Sequence, residues 1–251
     1  MTEGPTARLH AIRIERKFKG EVLKDIFVRS KKLHVDARCL INKKLTKATS
    51  FGKNILLYFN GYLIRIHLMM YGSIRFEKEY SKPFSHVRLT LFFARDNIIV
   101  YNAPIIEIGK AEEIENILYS SYGIDPLTNW DKNRLRKMIL EERERKIGDL
   151  LLDQHIFNGI GNILRNEILF RAMINPERKV KELSDEEIER LMENTRYLCK
   201  KFLELKLKSR GIKPILLIYN QKICKRCGGN IIFYRQEPNN RKTFYCPSCQ
   251  K

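Results

Sequence analysis

The first half of the chain carries short runs of apolar, β-prone residues separated by polar turns. The clearest runs are Asn54–Phe59 and Tyr62–Leu68, which flank Asn60-Gly61. Asparagine and glycine both accept positive φ, so these runs predict two strands of a hairpin joined by a two-residue turn. Val87–Phe93 and Ile98–Tyr101 predict a second hairpin. Several strands with this punctuation favour a β-sandwich or a β-barrel.

Helical spacing marks the start and the second half of the chain. A short basic helix is predicted at Thr6–Phe18, ahead of the strands. After the polar stretch Ser120–Pro126 the apolar spacing becomes helical, so we expect a domain boundary there. Asp131 is predicted to cap one helix. Ser184–Glu187 is a capping box that opens a longer helix, because its serine and glutamate side chains can satisfy each other's backbone donors.

The amino-acid composition indicates which class of partner the protein binds. Hydrophobic residues make up 43% of the 251 residues, enough for a real core, so wholesale disorder is excluded. Lysine and arginine number 48 against 29 acidic residues, which gives a formal charge of +19. A charge of that size opposes compaction unless a polyanion neutralises it, and nucleic acid is the first candidate.

The sequence also argues against membranes and secretion. No apolar run approaches the roughly 20 residues that a membrane helix requires. The segment Met1–Pro5 has neither the basic start nor the apolar core of a secretory signal. We therefore expect an intracellular protein, located in the cytoplasm and nucleoid or in the nucleus.

Four of the six cysteines form two pairs near the C-terminus. Cys224 and Cys227 are separated by two residues, as are Cys246 and Cys249. This spacing lets both sulfurs of a pair face one tetrahedral ion, and 18 intervening residues can form a hairpin that brings the pairs together. The pattern predicts a structural zinc site that folds a small ribbon. The ribbon would present Arg241 on a loop at 239–243.

Several separate segments of the chain share one feature, a match to motifs of a single protein family. The segments are Thr2-Glu3-Gly4-Pro5, Ser50-Phe51-Gly52-Lys53, Leu150–Gln154 followed by Asn158–Asn162, and Arg241–Gln250. Together they resemble the formamidopyrimidine-DNA glycosylases and endonucleases VIII of base-excision repair. They occur in that family's order and span nearly the whole chain.

The resemblance implies an α+β fold in three parts. An antiparallel β-sandwich with the catalytic residues is expected at 1–122, a helix–two-turn–helix DNA-binding domain at 123–218, and a zinc-finger β-hairpin at 219–251. The implied partner is damaged DNA, double- or single-stranded, and the implied state is a monomer.

The resemblance also implies the chemistry. In the family the N-terminal amine attacks the sugar C1′, expels the damaged base and forms a Schiff base, and β-elimination then cuts the strand. Loss of the initiator methionine would expose the Thr2 amine. An α-amine titrates near about 7.7–8.0 and a lysine near about 10.4, so the α-amine has the larger neutral, nucleophilic fraction. Glu3 would move protons as general acid and base.

One departure concerns the nucleophile itself. The family's usual residue at this position is proline, whose secondary amine forms a permanently charged iminium. Thr2 offers a primary amine instead, and its imine must be protonated to withdraw electrons. The balance of base removal against strand cleavage is therefore left open by the sequence.

The remaining candidate residues would hold DNA. Lys53 is expected to be a catalytic as well as a DNA-binding residue, because it can reach the sugar or phosphate beside the lesion. Met69, Met70 and Tyr71 would fill the space that the flipped base leaves in the duplex, with packing inside a hairpin as the alternative. Gly161, Asn162 and Arg241 would contact the phosphates that flank the flipped nucleotide.

Finer features lean towards the endonuclease VIII branch and hence towards oxidised pyrimidines. Met70-Tyr71-Gly72 and Tyr101-Asn102-Ala103 resemble that branch. Only the short segment Arg210–Tyr219 joins the helical region to the ribbon, where the 8-oxo-guanine enzymes carry a longer loop. The sequence therefore predicts a bifunctional DNA glycosylase and abasic-site lyase. The main alternative is a non-catalytic protein that binds lesions or structured DNA on the same scaffold.

Overall fold

The computed structural model describes residues 2–251, so the predicted removal of Met1 concerns a residue outside the described range. The chain folds into two separate units. One unit contains Thr2 and Thr6–Ser121, and the other contains Glu3–Pro5 and Tyr122–Lys251.

The first unit is built from two helices and nine strands. The elements are α1 (Gly4–Phe18), β1 (Asp25–Val28), β2 (Lys32–Leu33), β3 (Lys47–Phe51), β4 (Asn54–Phe59), β5 (Tyr62–His67), β6 (Ser73–Glu77), β7 (Val87–Phe92), β8 (Asn97–Tyr101), β9 (Ile105–Lys110) and α2 (Ala111–Ser121). The strands form a four-stranded sheet in the order β1-β7-β8-β6 and a five-stranded sheet in the order β2-β9-β5-β4-β3.

The predicted hairpins are present. Strands β4 and β5 pair antiparallel up to Phe59 and Tyr62, and Asn60 and Gly61 take φ values of 41° and 85° in the turn between them. Strands β7 and β8 form the second antiparallel hairpin. Every strand pair in this unit is antiparallel except β2 with β9, which involves two residues of β2 at the sheet edge.

The largest apolar core of the first unit lies between the two sheets and α1. Side chains that alternate along β4, β5, β8 and β9 are buried together with one face of α1, whose members include Ala7, Ala11, Ile14 and Phe18. Removing this apolar surface from water is the main stabilising contribution to the sandwich.

The second unit is helical with a terminal hairpin. Its elements are α3 (Lys132–Glu141), α4 (Ile147–Leu150), α5 (Asn162–Ala172), α6 (Asp185–Leu207), β10 (Ile232–Gln236) and β11 (Arg241–Tyr245). The Asp131 carboxylate accepts the Arg134 N–H at 2.9 Å and caps α3, as predicted. Ser184 and Glu187 form the predicted capping box of α6. The predicted α+β class is confirmed.

The helices of the structure can be compared with those that span membranes. Within residues 2–251, none combines the length and the apolar character that crossing a bilayer demands.

Candidate active site

The start of the chain is held against a turn of the first unit. The Thr2 nitrogen lies 3.1 Å from the Met69 carbonyl oxygen, and only 8% of Thr2 is exposed. Met69 itself takes a left-handed φ of 50° in the turn that follows β5. Thr2 is therefore ordered by a contact with the turn that carries Met69, Met70 and Tyr71, the residues predicted to fill the space of the flipped base, which we call the wedge residues.

The three wedge residues project from the protein. Met69, Met70 and Tyr71 are 47%, 54% and 78% exposed, so the alternative of packing inside a hairpin is wrong. The turn is tight because Gly72 donates its N–H to the Leu68 carbonyl at 2.9 Å. A Cβ at Gly72 would lie 2.5 Å from that oxygen, so only glycine fits. Exposed apolar side chains on a rigid turn suit insertion between bases.

Lys53 lies in the two-residue turn between β3 and β4, after Gly52 with a φ of 56°. The next residue, Asn54, pairs across the sheet with His67 on β5. Burial lowers the pKa of His67 to about 4, with further contributions from the charges of Lys53 and Arg65. His67 is therefore neutral at neutral pH.

His67 is a site residue that sequence spacing missed, because five scattered histidines carry no recognisable pattern. Its Nδ1 atom accepts the Met69 N–H at 3.2 Å. A neutral imidazole that accepts at Nδ1 must carry its hydrogen on Nε2. His67 thus fixes the wedge turn with one ring nitrogen and presents a donor with the other.

Glu3 belongs to the second unit and is wholly buried. Its carboxylate accepts backbone N–H groups at the first turn of α5, from Ile163 at 2.8 Å and from Leu164 at 3.3 Å. Backbone donors and the positive end of a helix dipole stabilise a negative charge at this position. The carboxylate is held rigidly, one peptide bond away from Thr2.

Two glycines make this close approach feasible. A Cβ at Gly161 would lie 2.7 Å from the Glu3 side chain. Gly4 donates its N–H to the Gly159 carbonyl at 2.8 Å, and a Cβ at Gly4 would lie 3.1 Å from the Gly159 Cα. The Glu3-Gly4 and Gly159–Gly161 segments therefore fit together only because side chains are missing at the contact.

Asn162 and Arg241 occupy the two elements that flank this region. Asn162 is the first residue of α5, and its side-chain amide donates to the Lys242 carbonyl at 2.9 Å. An amide nitrogen has two hydrogens, so Asn162 retains one donor for a ligand. Arg241 is exposed, and it is the first residue of β11 rather than part of the predicted loop.

Arg165 is a second residue that sequence spacing missed. It is fully buried in α5 and donates to Gly148 O at 2.6 Å, Asn162 Oδ1 at 2.9 Å and Thr243 Oγ1 at 2.8 Å. It also donates to Gln236 on β10. Burial lowers the pKa of Arg165 to about 10, so the guanidinium stays charged at neutral pH. One side chain therefore joins α4, Asn162 and both strands of the terminal hairpin.

We expect the substitution Arg165→Met to destabilise the second unit. It leaves four buried acceptors without their donor, and each such loss costs about 1–3 kcal/mol. The free energy of unfolding, measured with urea and circular dichroism, should fall by about 4 kcal/mol or more.

The matched control is Arg143→Met, because Arg143 is an exposed arginine of the same unit. Its effect should stay within about 0.5 kcal/mol. Equal stability of the two variants would contradict the structural role of Arg165.

The four predicted cysteines form a cluster in the terminal ribbon. Their sulfur atoms all lie within 4.8 Å of one another. The Sγ atoms of Cys227 and Cys246 are 3.4 Å apart, and those of Cys224 and Cys249 are 3.9 Å apart. Four thiolates at about 2.3 Å from a tetrahedral zinc ion would be about 3.8 Å apart, so the cluster fits such an ion.

Backbone turns place each cysteine pair. Gly228 donates its N–H to the Cys224 carbonyl at 2.9 Å with a φ of 74°, which glycine adopts without strain. Gln250 donates to the Cys246 carbonyl at 2.9 Å. Two short turns of the same kind thus face each other with sulfur atoms between them.

The sequence of each unit matches a known protein family. The family described as "Formamidopyrimidine-DNA glycosylase N-terminal domain" matches residues 1–104, and "Formamidopyrimidine-DNA glycosylase H2TH domain" matches residues 122–217. The chain belongs to the formamidopyrimidine-DNA glycosylase and endonuclease VIII family. The resemblance inferred from the motifs is therefore confirmed.

Relatives within this glycosylase family come from both branches. Endonuclease 8 of Klebsiella pneumoniae is 28% identical over the full length of both chains. The formamidopyrimidine-DNA glycosylase of Pelotomaculum thermopropionicum is 29% identical over 92% of this chain and 90% of its own. The endonuclease 8-like 3 protein of Xenopus laevis is 28% identical over 87% of this chain, which spans 36% of that longer relative.

Solved structures of the glycosylase family share the fold. A complex of Lactococcus lactis Fpg with DNA that contains an abasic site has a TM-score of 0.88 at 22% identity, with 99% of both chains covered. A structure of MutM with DNA that contains carbocyclic 8-oxo-G has a TM-score of 0.87 at 22% identity and the same coverage.

Proposed function

We propose that the protein is a bifunctional DNA glycosylase and abasic-site lyase that removes oxidised bases, with pyrimidines favoured. The single observation that carries the proposal is the placement of Glu3. Its carboxylate is wholly buried, accepts two backbone N–H groups at the start of α5, and lies against Gly161, where a Cβ would clash with it. Such a group next to the nucleophile is suited to general acid–base catalysis.

The proposed reaction uses the Thr2 amine after removal of Met1. The neutral amine attacks C1′ of the damaged nucleotide, so that a C1′–N bond forms while the bond from C1′ to the base breaks. Glu3 takes a proton from the attacking amine and passes it on to the leaving base or the opened sugar. The C1′–O4′ bond then breaks, O4′ takes up a proton and becomes a hydroxyl, and the nitrogen lone pair forms the C1′=N bond of a protonated imine. This imine withdraws electrons, a proton passes from C2′ to water, and the 3′ phosphate departs by β-elimination.

The proposed DNA contacts follow the positions of the side chains within each unit. In the first unit, Lys53 would pair with a phosphate or the sugar, and Met69, Met70 and Tyr71 would occupy the space of the flipped base. In the second unit, Gly161, Asn162 and Arg241 would bind phosphates through backbone N–H groups, one amide hydrogen and a guanidinium. The divisions 1–122, 123–218 and 219–251 remain our proposal for the catalytic, DNA-binding and zinc-finger parts.

The preference for pyrimidines is supported by the short connection between α6 and the ribbon. The N–H groups of Leu217, Ile218 and Tyr219 all bond to the buried Glu167 carboxylate at 2.9–3.0 Å. A segment held in this way has no length to spare for covering a large flipped purine. We also propose that the cysteine cluster holds zinc and that the metal is structural, because all four ligand positions are filled by thiolates.

Trapping with borohydride tests the proposed nucleophile. The protein is incubated with a duplex that contains thymine glycol in the presence of the hydride, which reduces the Schiff base to a stable amine. We expect intact-protein mass spectrometry to find a covalent adduct, and peptide mapping to locate it on Thr2.

A variant with two residues, Gly-Ser, inserted ahead of Thr2 is the matched control, because it moves the amine without changing any side chain. It should give no adduct. An adduct on Lys53, or equal trapping by the extended variant, would contradict the role of the Thr2 amine.

A further inference from the structure

A cavity of about 420 Å³ opens in the second unit, on residues that the proposed reaction does not use. We call it the Trp130 pocket. Its walls are Trp130 and Lys132 at the start of α3 and one face of α6. The face consists of positions three, four and seven residues apart, which share one side of a helix; they are Glu193, Arg196, Tyr197 and Lys200.

The pocket carries uncompensated positive charge. Within residues 2–251, neither Arg196 nor Lys200 has a carboxylate within ion-pair distance. Both are exposed, and they are one helical turn apart on α6. Lys132 adds a third cation, which pairs with Glu189. Among the lining side chains only Glu193 is acidic, so the pocket favours an anionic ligand.

The pocket also offers flat aromatic and guanidinium surfaces. The Arg196 guanidinium lies over the Trp130 ring, 5.5 Å from its centroid. Tyr197 is 52% exposed, and the Arg171 guanidinium lies over its ring, 5.9 Å from the centroid. Met192 forms a fully buried apolar floor. A planar ligand can therefore stack on Tyr197 or on the outer face of Arg196.

These features select one class of ligand. Stacking platforms beside unpaired cations are the means by which proteins bind single-stranded nucleic acid without regard to sequence, since every nucleotide has a flat base and a charged phosphate. We propose that the Trp130 pocket binds a nucleotide of single-stranded nucleic acid, with the base stacked on Tyr197 or Arg196 and the phosphate bound by Arg196 and Lys200. This site is separate from the residues proposed for catalysis.

The sequence supplies a direct reporter for this proposal, because Trp130 is the only tryptophan of the chain. The full-length protein is first saturated with an uncleavable duplex that contains a tetrahydrofuran abasic analogue, which fills the proposed catalytic site. It is then titrated with the single-stranded oligonucleotide (dT)8 while tryptophan fluorescence is recorded. We expect saturable quenching that the bound duplex does not prevent.

Two double variants test the residues at fixed salt concentration. Arg196→Gln with Lys200→Gln should weaken binding of (dT)8 about a hundredfold or more, because two contacts to charged phosphate are removed. Lys206→Gln with Lys208→Gln is the control, since it removes the same charge from the end of α6 outside the pocket. It should leave the dissociation constant within about twofold.

Several results would overturn the proposal. An unchanged tryptophan signal would contradict binding at the Trp130 pocket. Competition between (dT)8 and the bound duplex would contradict a site separate from the proposed catalytic site. If both double variants lowered the affinity for (dT)8 equally, the effect would come from the net charge of the protein and not from the pocket. Tighter binding of an octaglutamate peptide than of (dT)8 would assign the pocket to an acidic protein segment instead.

Discussion

The substitution Glu3→Gln should abolish most base excision while the protein stays folded. The amide keeps the size of the carboxylate and can still accept one N–H from the start of α5, but it can neither take up nor deliver a proton. General acid–base groups contribute about 10²–10⁴-fold to a rate, so a loss of that order is expected. The measurement is the single-turnover rate of base release from a duplex that contains thymine glycol.

Glu79→Gln is the matched control, because Glu79 is exposed and loses the same charge. It should release the base at the wild-type rate. The Glu3→Gln protein should still bind a duplex with an abasic analogue, which separates chemistry from affinity. An excision rate within threefold of wild type would contradict the catalytic role. No base release by the wild-type protein would favour the alternative, a DNA-binding protein without activity.

Local patterns predicted the local parts of this fold. Asn60 and Gly61 determine their own turn because both tolerate positive φ. Asp131 caps α3 through an N–H only three residues away. The cysteine pairs are equally local, since each CxxC turn is formed by its own backbone. The same features were therefore available from sequence spacing alone.

Arg165 illustrates what sequence spacing does not carry. An arginine in a helix usually lies in solvent, and burial of Arg165 requires the terminal hairpin, about 70 residues later in the chain, to pack on α5. Asn162 was predicted as a phosphate ligand, but its bonds to Lys242 and Arg165 give it a structural role in addition. Such roles arise from tertiary contacts, which no periodicity reports.

Glu3 lies between these two cases. Its chemistry was inferred from its position beside Thr2 in a motif that resembles the family. The structure shows why the segment 159–161 contains glycines. Gly161 leaves room for the Glu3 side chain, and Gly159 leaves room for the Gly4 backbone. Two motifs that are some 150 residues apart in the sequence are thus one structural feature.

We expect loss of the proposed zinc ion to weaken DNA binding, because the ribbon carries Arg241 and contacts Asn162. The substitution Cys246→Ser removes a buried cysteine of the proposed zinc site, and metal binding in small zinc-binding peptides stabilises folding by about 10–16 kcal/mol. Without it we expect the β10–β11 hairpin to unfold, which frees Arg241 and takes the Lys242 carbonyl away from Asn162. The proposed phosphate contacts of Arg241 and Asn162, at about 1.5–3 kcal/mol each, would be lost, so affinity for a lesion duplex should fall at least about a hundredfold.

The metal content and the affinity are measured on the same preparations, by elemental analysis and by fluorescence anisotropy of a labelled duplex. Wild-type protein should contain one zinc ion per chain, and the Cys246→Ser variant should contain none. Cys39→Ser is the control, because it makes the same change outside the cluster and should preserve both zinc and affinity. If the Cys246→Ser protein lost zinc but bound DNA as the wild type does, the ribbon would have no part in holding DNA. Residues other than Arg241 and Asn162 would then have to hold the DNA.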